Sequence, residues 1–277
     1  MIIDTHTHVV NSDRMKHPLD PNARGWSLEV SNNVEDLIVE MDNAGVACAT
    51  LVQPATTYGV DNSYQCDSAN LFSPRTVAVG ILDPAAPDAA DKLSYWVKER
   101  GMHGVRLLSE SEPDDSVGDS LWRRAEQLEI PISIAGGGNP QKVDRIRTMA
   151  ARHPNVIVAP DHFAGWNGAE DKAAMTTALE ELAKLPNVYL RISSTSLGPY
   201  MELAAAEKDL FNRVIDAFTP RRVMWGSNFP GTRDGGYSGL VQLAQTALSW
   251  LSEDDRNWIM GQTAAKLWPM LKASNAS

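Results

Sequence analysis

The chain has 277 residues and is 43% hydrophobic, which is enough to bury a large core. Asp and Glu number 35 against 25 Lys and Arg, a net charge of −10. That balance argues against nonspecific nucleic-acid binding, yet a local arginine cluster can still hold an anionic small molecule.

Short apolar runs rich in β-formers alternate with amphipathic ones along the chain. The first strand run is 2–10, followed by a helix at 33–44, where Val34, Leu37, Ile38 and Met41 repeat at helical spacing and Gly45 closes the end. The next strand run is 47–54, with a helix at 62–71. Strand 76–83 precedes helix 87–100, and strand 104–108 precedes helix 120–128. Strand 131–135 then leads to helix 140–151, and strand 156–160 to helix 170–185. Strand 187–193 leads to helix 208–218, and strand 222–226 to helix 239–251. A last helix is expected at 253–271. Eight strand–helix units with near-continuous apolar strands predict one domain over 1–277, a single (β/α)₈ barrel. The first connection, 11–32, is long and polar, and it would lie as a lid on the rim where such barrels keep their chemistry.

The two cysteines, Cys48 and Cys66, form no paired pattern, so a disulfide framework is not expected and a reducing cytoplasm is. The start, MIIDTHTHVV, lacks the features of a signal peptide, and no apolar run nears the ~18 residues of a membrane span. A soluble enzyme with a small-molecule substrate, alone or as a homo-oligomer, is the expectation.

Reactive groups of such barrels sit at the C-terminal ends of strands. These ends carry Asp4, His6 and His8; Gln53; Arg106; Asp161 and His162; Arg191 and Ser193; and Ser227 and Asn228. Burying so many polar groups is costly unless a site uses them. His6 and His8 are two apart on one strand and so face the same way. Converging imidazoles suit metal coordination or capture of a carbonyl or carboxylate oxygen. Arg106 could bind a carboxylate in bidentate fashion, and Arg191 could hold a second anion or form a structural ion pair. Gln53 and Tyr64 are candidate pocket residues. Gly136–Gly138 lacks the following Lys-Ser/Thr of a P-loop and is read as a place of close backbone approach to substrate. Trp26, Trp166 and Trp225 are candidate apolar walls, and His17, His103 and His153 are read as surface or structural.

The stretch DTHTH at 4–8 resembles the first-strand motif of the amidohydrolase superfamily. NVEDLIVEMDNAGV, LVQP, DNSY, GVRL, DHFAG and WGSNFP resemble the amidohydrolase-2 group, with its 2-pyrone-4,6-dicarboxylate lactonases, sugar lactonases and aromatic-acid decarboxylases. The resemblance spans essentially the whole chain. It implies hydrolysis of a small lactone bearing a carboxylate or similar anion, with a metal-dependent decarboxylase as the alternative. Metal-dependent relatives carry a His at the end of strand five, where this chain has Ala135-Gly136. The expectation is therefore no cofactor, with His6, His8 and His162 as the ligand set if zinc or another divalent metal is bound. Where relatives place an Asp that activates water, this chain has Asn228, an amide that cannot take a proton at neutral pH. Three readings stay open: an Asp→Asn change that traps substrate in a binding-only protein, a native Asn with His162 or Asp161 as base, or a reaction other than hydrolysis. In the working reading, His6, His8 and Arg106 polarise the carbonyl, His162 moves a proton and Asn228 positions water.

Overall fold

The computed structural model describes residues 1–108 and 117–273. All eight expected strands are present: β1 (Ile2–Thr7), β2 (Val46–Val52), β3 (Thr76–Ile81), β4 (Met102–Leu108), β5 (Ile132–Ala135), β6 (Val158–Pro160), β7 (Leu190–Ser193) and β8 (Val223–Gly226). The first six form one parallel sheet in sequential order, and β7 and β8 form a separate parallel pair. An isolated parallel bridge, Val158↔Val188, ties the sheet to the chain entering β7. At the other side β8 meets β1: Thr5 Oγ1 donates to Trp225 O (2.7 Å), and Asn228 N donates to His6 O (2.7 Å).

Helices α1 (Val34–Ala44), α2 (Ala55–Tyr58), α3 (Ser63–Leu71), α4 (Ala89–Arg100), α5 (Val117–Gln127), α6 (Pro140–Arg152), α7 (Lys172–Ala183), α8 (Ser194–Glu202), α9 (Ala205–Phe218) and α10 (Gly236–Ala247) connect the strands. The strands are buried almost throughout, as parallel strands covered by helices must be. Helix α1 turns Leu37, Ile38 and Met41 inward and ends at Gly45 in the left-handed conformation (φ 70°).

Three departures from the expected elements have local causes. Helix α8 directly follows β7, although Gly198 and Pro199 read as breakers; Ser193 N donates to Ser196 Oγ (2.9 Å) and starts it. The helix expected at 253–271 is instead α11 (Glu253–Asn257), a π turn (Trp258–Gln262) and α12 (Thr263–Leu267). There Gly261 lies against the backbone of Met1 and Ile3, so close that a β-carbon would collide. Finally, Gly137 and Gly138 (φ 128° and 82°) serve a backbone approach to another segment of the protein. Gly138 N donates to Ala164 O (2.8 Å), and a β-carbon on Gly137 would strike that same peptide.

The long first connection is ordered. Val10 and Asn32 form a two-way bridge, Asp20 N donates to Thr57 O (2.8 Å) and Arg24 N to Thr56 O (2.9 Å), so the segment rests on α2. Among the described residues no helix is long and apolar enough to cross a membrane.

Candidate active site

The strand ends converge on one polar cluster. Asp4 fixes the seam between β1 and β8: its carboxylate accepts from His6 N and Ser227 N (both 2.9 Å) and from the Tyr237 hydroxyl (2.9 Å). Burial pushes the Asp4 carboxyl up, against these hydrogen bonds. Above it the His6 ring meets His8 edge-on at 4.9 Å between centroids and His162 at 4.6 Å. Trp26 from the lid lies 5.8 Å from the His8 ring. Trp166 and Trp225 are fully buried in the hydrophobic core.

Asp161 is the electrostatic centre. Arg106 Nε donates to one carboxylate oxygen (2.8 Å), Arg191 Nη1 donates to the other, and His6 Nδ1 stands 3.6 Å away. Burial alone would raise this carboxyl. Arg191, then His6 and Arg106, outweigh it and hold Asp161 well below the usual carboxylate range. Arg191 also donates to Thr5 Oγ1 (3.0 Å) and Ser133 Oγ (3.1 Å) and is 0% exposed, whereas Arg106 keeps 8% exposure. Arg106 is thus the guanidinium that a ligand can reach; Arg191 is a deep ion-pair partner.

Burial disfavours the cationic form of all three imidazoles. Burial pushes His6 well below its ordinary value, more than Asp161 pulls it back. Burial and Arg106 bring His8 down to about 4, and burial with Arg106 and Arg191 brings His162 to about 4 against the pull of Asp161. Their anchors differ. His8 Nδ1 lies 2.8 Å from Val52 O, whereas His162 Nδ1 faces two hydroxyls, Ser193 Oγ at 2.8 Å and Thr195 Oγ1 at 3.3 Å. Both ring nitrogens of His6 are buried without a hydrogen-bond partner among the described residues.

His162 begins a left-handed turn. His162, Phe163 and Ala164 have φ of 52°, 58° and 50°, and Gly165 of 75°. Left-handed backbone costs non-glycine residues about 1–2 kcal/mol each. Phe163 offsets this by stacking on Phe211 (4.0 Å) beside Trp166, all fully buried. The turn thereby swings the His162 ring toward His6. Asn228 is also left-handed (φ 62°), a conformation Asn tolerates. Its Nδ2 donates to Thr232 Oγ1 (2.9 Å), and its carboxamide lies against the His8 ring.

His6, His8, Arg106, His162 and Asn228 are therefore brought together, with Arg191 beneath them. Gln53 and Tyr64 are placed otherwise. Gln53 is fully buried and donates to the carbonyls of Gly59 (3.1 Å) and Asp61 (2.8 Å), pinning the loop after β2. The Tyr64 hydroxyl accepts from Val34 N (3.2 Å), and its ring lies against His17 at a small surface cavity with Lys16 and Tyr58. Thr5, Ser133 and Thr195 belong to the cluster and were not anticipated. The period-two alternation of Ser133 with Ala135 and of Arg191 with Ser193 was a usable signal for the strand residues; Thr195 had none. His153 is structural, with Nε2 2.9 Å from Asp119 and its ring stacked on Trp122.

His6, Asp161 and His162 offer nitrogen and oxygen atoms all within 4.8 Å of one another, a set of the kind that holds a metal ion. This differs from the expected set by Asp161 in place of His8.

Residues 3–270 match the family model described as Amidohydrolase. An L-fucono-1,5-lactonase from Burkholderia ambifaria is 26% identical over 245 residues, 84% of each chain. A probable 2-pyrone-4,6-dicarboxylic acid hydrolase from Acinetobacter baumannii, crystallised with citric acid, superposes with a TM-score of 0.73 at 16% identity, covering 97% of this chain and 99% of its own. An amidohydrolase from Burkholderia multivorans with bound zinc gives 0.73 at 23% identity, covering 98% and 99%. The chain belongs to the amidohydrolase family.

Proposed function

We propose that this enzyme hydrolyses a small lactone carrying a carboxylate or similar anion, inside an eight-strand barrel closed where β7 meets β6 and β8 meets β1. The observation that carries this reading is the cluster itself. Three imidazoles, one reachable guanidinium and a carboxamide meet at the strand ends. Arg106 attracts the anionic substrate, and with His6 it stabilises the charge that develops on the carbonyl oxygen. Asn228 orients the attacking water. Arg191 Nε and Nη1 are engaged by Thr5, Ser133 and Asp161, so among the described residues Arg106 is the more accessible guanidinium of the site and suits a carboxylate of the substrate.

The residues do not fit a resident divalent cation. Asp161, the anionic donor of the candidate set, is paired with two guanidiniums, so an ion beside it would face two fixed positive charges. The end of β5 is Ala135 and the loop after β8 offers the uncharged Asn228, so neither supplies a further strong donor. No step is therefore routed through a metal. The same donor set disfavours a metal-dependent decarboxylase.

A pH-stat assay over hydroxy- and carboxy-lactones, paired with elemental analysis of protein purified without chelators, tests this reading. Proton release on lactone opening with far less than one metal per chain is the expected result. One zinc or manganese per chain, with activity lost to a chelator, would overturn the metal-free reading. No lactone opened would overturn the proposed activity.

A further inference from the structure

We propose that His8 is the general base of this reaction, accepting the proton of the attacking water at Nε2 in the place of the missing strand-eight carboxylate. The inference rests on the lactone reading and adds to it the identity of the proton acceptor.

A neutral imidazole has one N–H and one lone pair. The atom facing His8 Nδ1 at 2.8 Å is the carbonyl oxygen of Val52, which only accepts. Nδ1 must therefore carry the hydrogen, and Nε2 must present its lone pair. A neutral His8 so held cannot donate a hydrogen bond to a substrate carbonyl from Nε2; it can take a proton there. His162 is different. The hydroxyls of Ser193 and Thr195 can each donate or accept, so nothing on that side forbids a hydrogen at Nε2. Asp161 is held by two guanidiniums and is a poor base.

The surroundings of His8 match the role. The Asn228 carboxamide lies in hydrogen-bond contact with the His8 ring, so the two side chains border the same attacking water in the proposed step. Trp26 covers the ring from the lid side and limits access of bulk water. In the step itself, the water oxygen bonds to the lactone carbonyl carbon and its proton passes to His8 Nε2. The carbonyl π pair moves to oxygen beside Arg106. The ring C–O bond then breaks as the carbonyl re-forms, and the departing oxygen takes the proton back from His8, giving a hydroxy acid.

Two measurements on the full chain test the proposal. Nitrogen-15 shifts of the His8 ring, which do not depend on any substrate, should show the Nδ1–H tautomer; an Nε2–H ring overturns the proposal even if lactones are opened. With a lactone the native enzyme opens, His8→Ala should lower kcat by about 10²–10⁴-fold with little change in KM. Adding Asn228→Asp to His8→Ala should recover a substantial part of that loss by restoring a carboxylate base beside the same water. His8→Gln keeps the side-chain volume if the Ala variant folds poorly, and should lose kcat equally. Turnover of His8→Gln within threefold of native, with His162→Ala lost, makes His162 the base and sinks the proposal. If no lactone is opened, the lactone reading fails, and the ring shifts still decide which nitrogen of His8 bears the hydrogen.

Discussion

Asp161 follows β6 and Asn228 follows β8, one charged and one neutral, and their environments invert what their chemistry alone suggests. The carboxylate is fully consumed by Arg106, Arg191 and the nearby His6 ring. The amide, on a left-handed residue, contacts His8 and donates to Thr232 Oγ1. A carboxylate in a pocket is thus not automatically its base, because ion pairing that lowers its proton affinity removes it from that role. Asp161 supports the cluster, whereas the water-handling side of the site lies around Asn228 and His8.

The largest effect should come from breaking the consumed side. Asp161→Ala leaves two guanidiniums buried without their counter-ion, and removing one partner of a buried pair costs about 3–5 kcal/mol. For a chain of this size that is a fall in Tm of roughly 10 °C, read by thermal unfolding with soluble yield as a second measure. A variant as stable as the native protein would mean that the ion cluster is ornamental. Asn228→Ala, in contrast, should leave Tm within a few degrees while turnover drops about tenfold or more.

Acid should probe both sides next. Unfolded histidines take up a proton near pH 6.5, folded His8 and His162 only near 4. Between these values the unfolded chain binds more protons, so their contribution to stability is complete above about pH 6.5 and is lost as pH falls toward 4. From pH 7 to 5, His8 should account for about 2 kcal/mol of lost stability, and the partly exposed His162 for less. Denaturant midpoints at the two pH values measure this. Among the described residues, the groups facing His8 are His6 from β1, Arg106 from β4, His162 after β6, Asn228 after β8 and the Val52 carbonyl of β2. None of them is an anion that would keep it protonated, so kcat/KM should hold steady down to pH 5. An acidic limb near 6.5 would show that the active imidazole is solvated rather than buried.

A smaller effect is expected from Asn228→Asp alone. With His8 as acceptor, a carboxylate beside it adds a second base without removing the first, and turnover should stay within tenfold of native. A gain of a hundredfold or more would mean that the amide blocks hydrolysis, and the comparison with Asp161 would then concern a disabled site.

What the sequence disclosed follows from how local each determinant is. His6, His8 and Arg106 lie on strands, where periodicity and strand-end position decide where they point, whereas His162 and Asn228 were legible only by their place just after β6 and β8, their orientation being set by left-handed backbone. The eight strands were legible for the same reason, as unbroken apolar runs. Gln53 was misleading because its amide partners are carbonyls of Gly59 and Asp61, whose position depends on how a loop folds back. Arg191 was read as either an anion holder or an ion-pair member, and its full burial against Asp161 favours the second. Thr195 reached His162 through a helix that Gly198 and Pro199 concealed, and the four-residue left-handed turn had no sequence signal besides Gly165. Such features depend on tertiary contacts, here the approach of Gly137 and Gly138 to Ala164 and the stacking of Phe163 on Phe211.

Tyr64 supplies the zero of the comparison, a polar group near the lid but outside the cluster. Its hydroxyl accepts from Val34 N, one of the first amides of α1, which have no partner within their own helix. Tyr64→Phe removes that acceptor while keeping the ring against His17 and Tyr58. The amide can turn to water, so the loss should be about 1 kcal/mol or less. Turnover and KM should change by less than twofold, since no described atom of Tyr64 bonds to His6, His8, Arg106 or Asn228. A tenfold rise in KM with unchanged stability would place Tyr64 against the substrate, and the boundary drawn around the Asp161–Asn228 cluster would have to extend across the lid to α3.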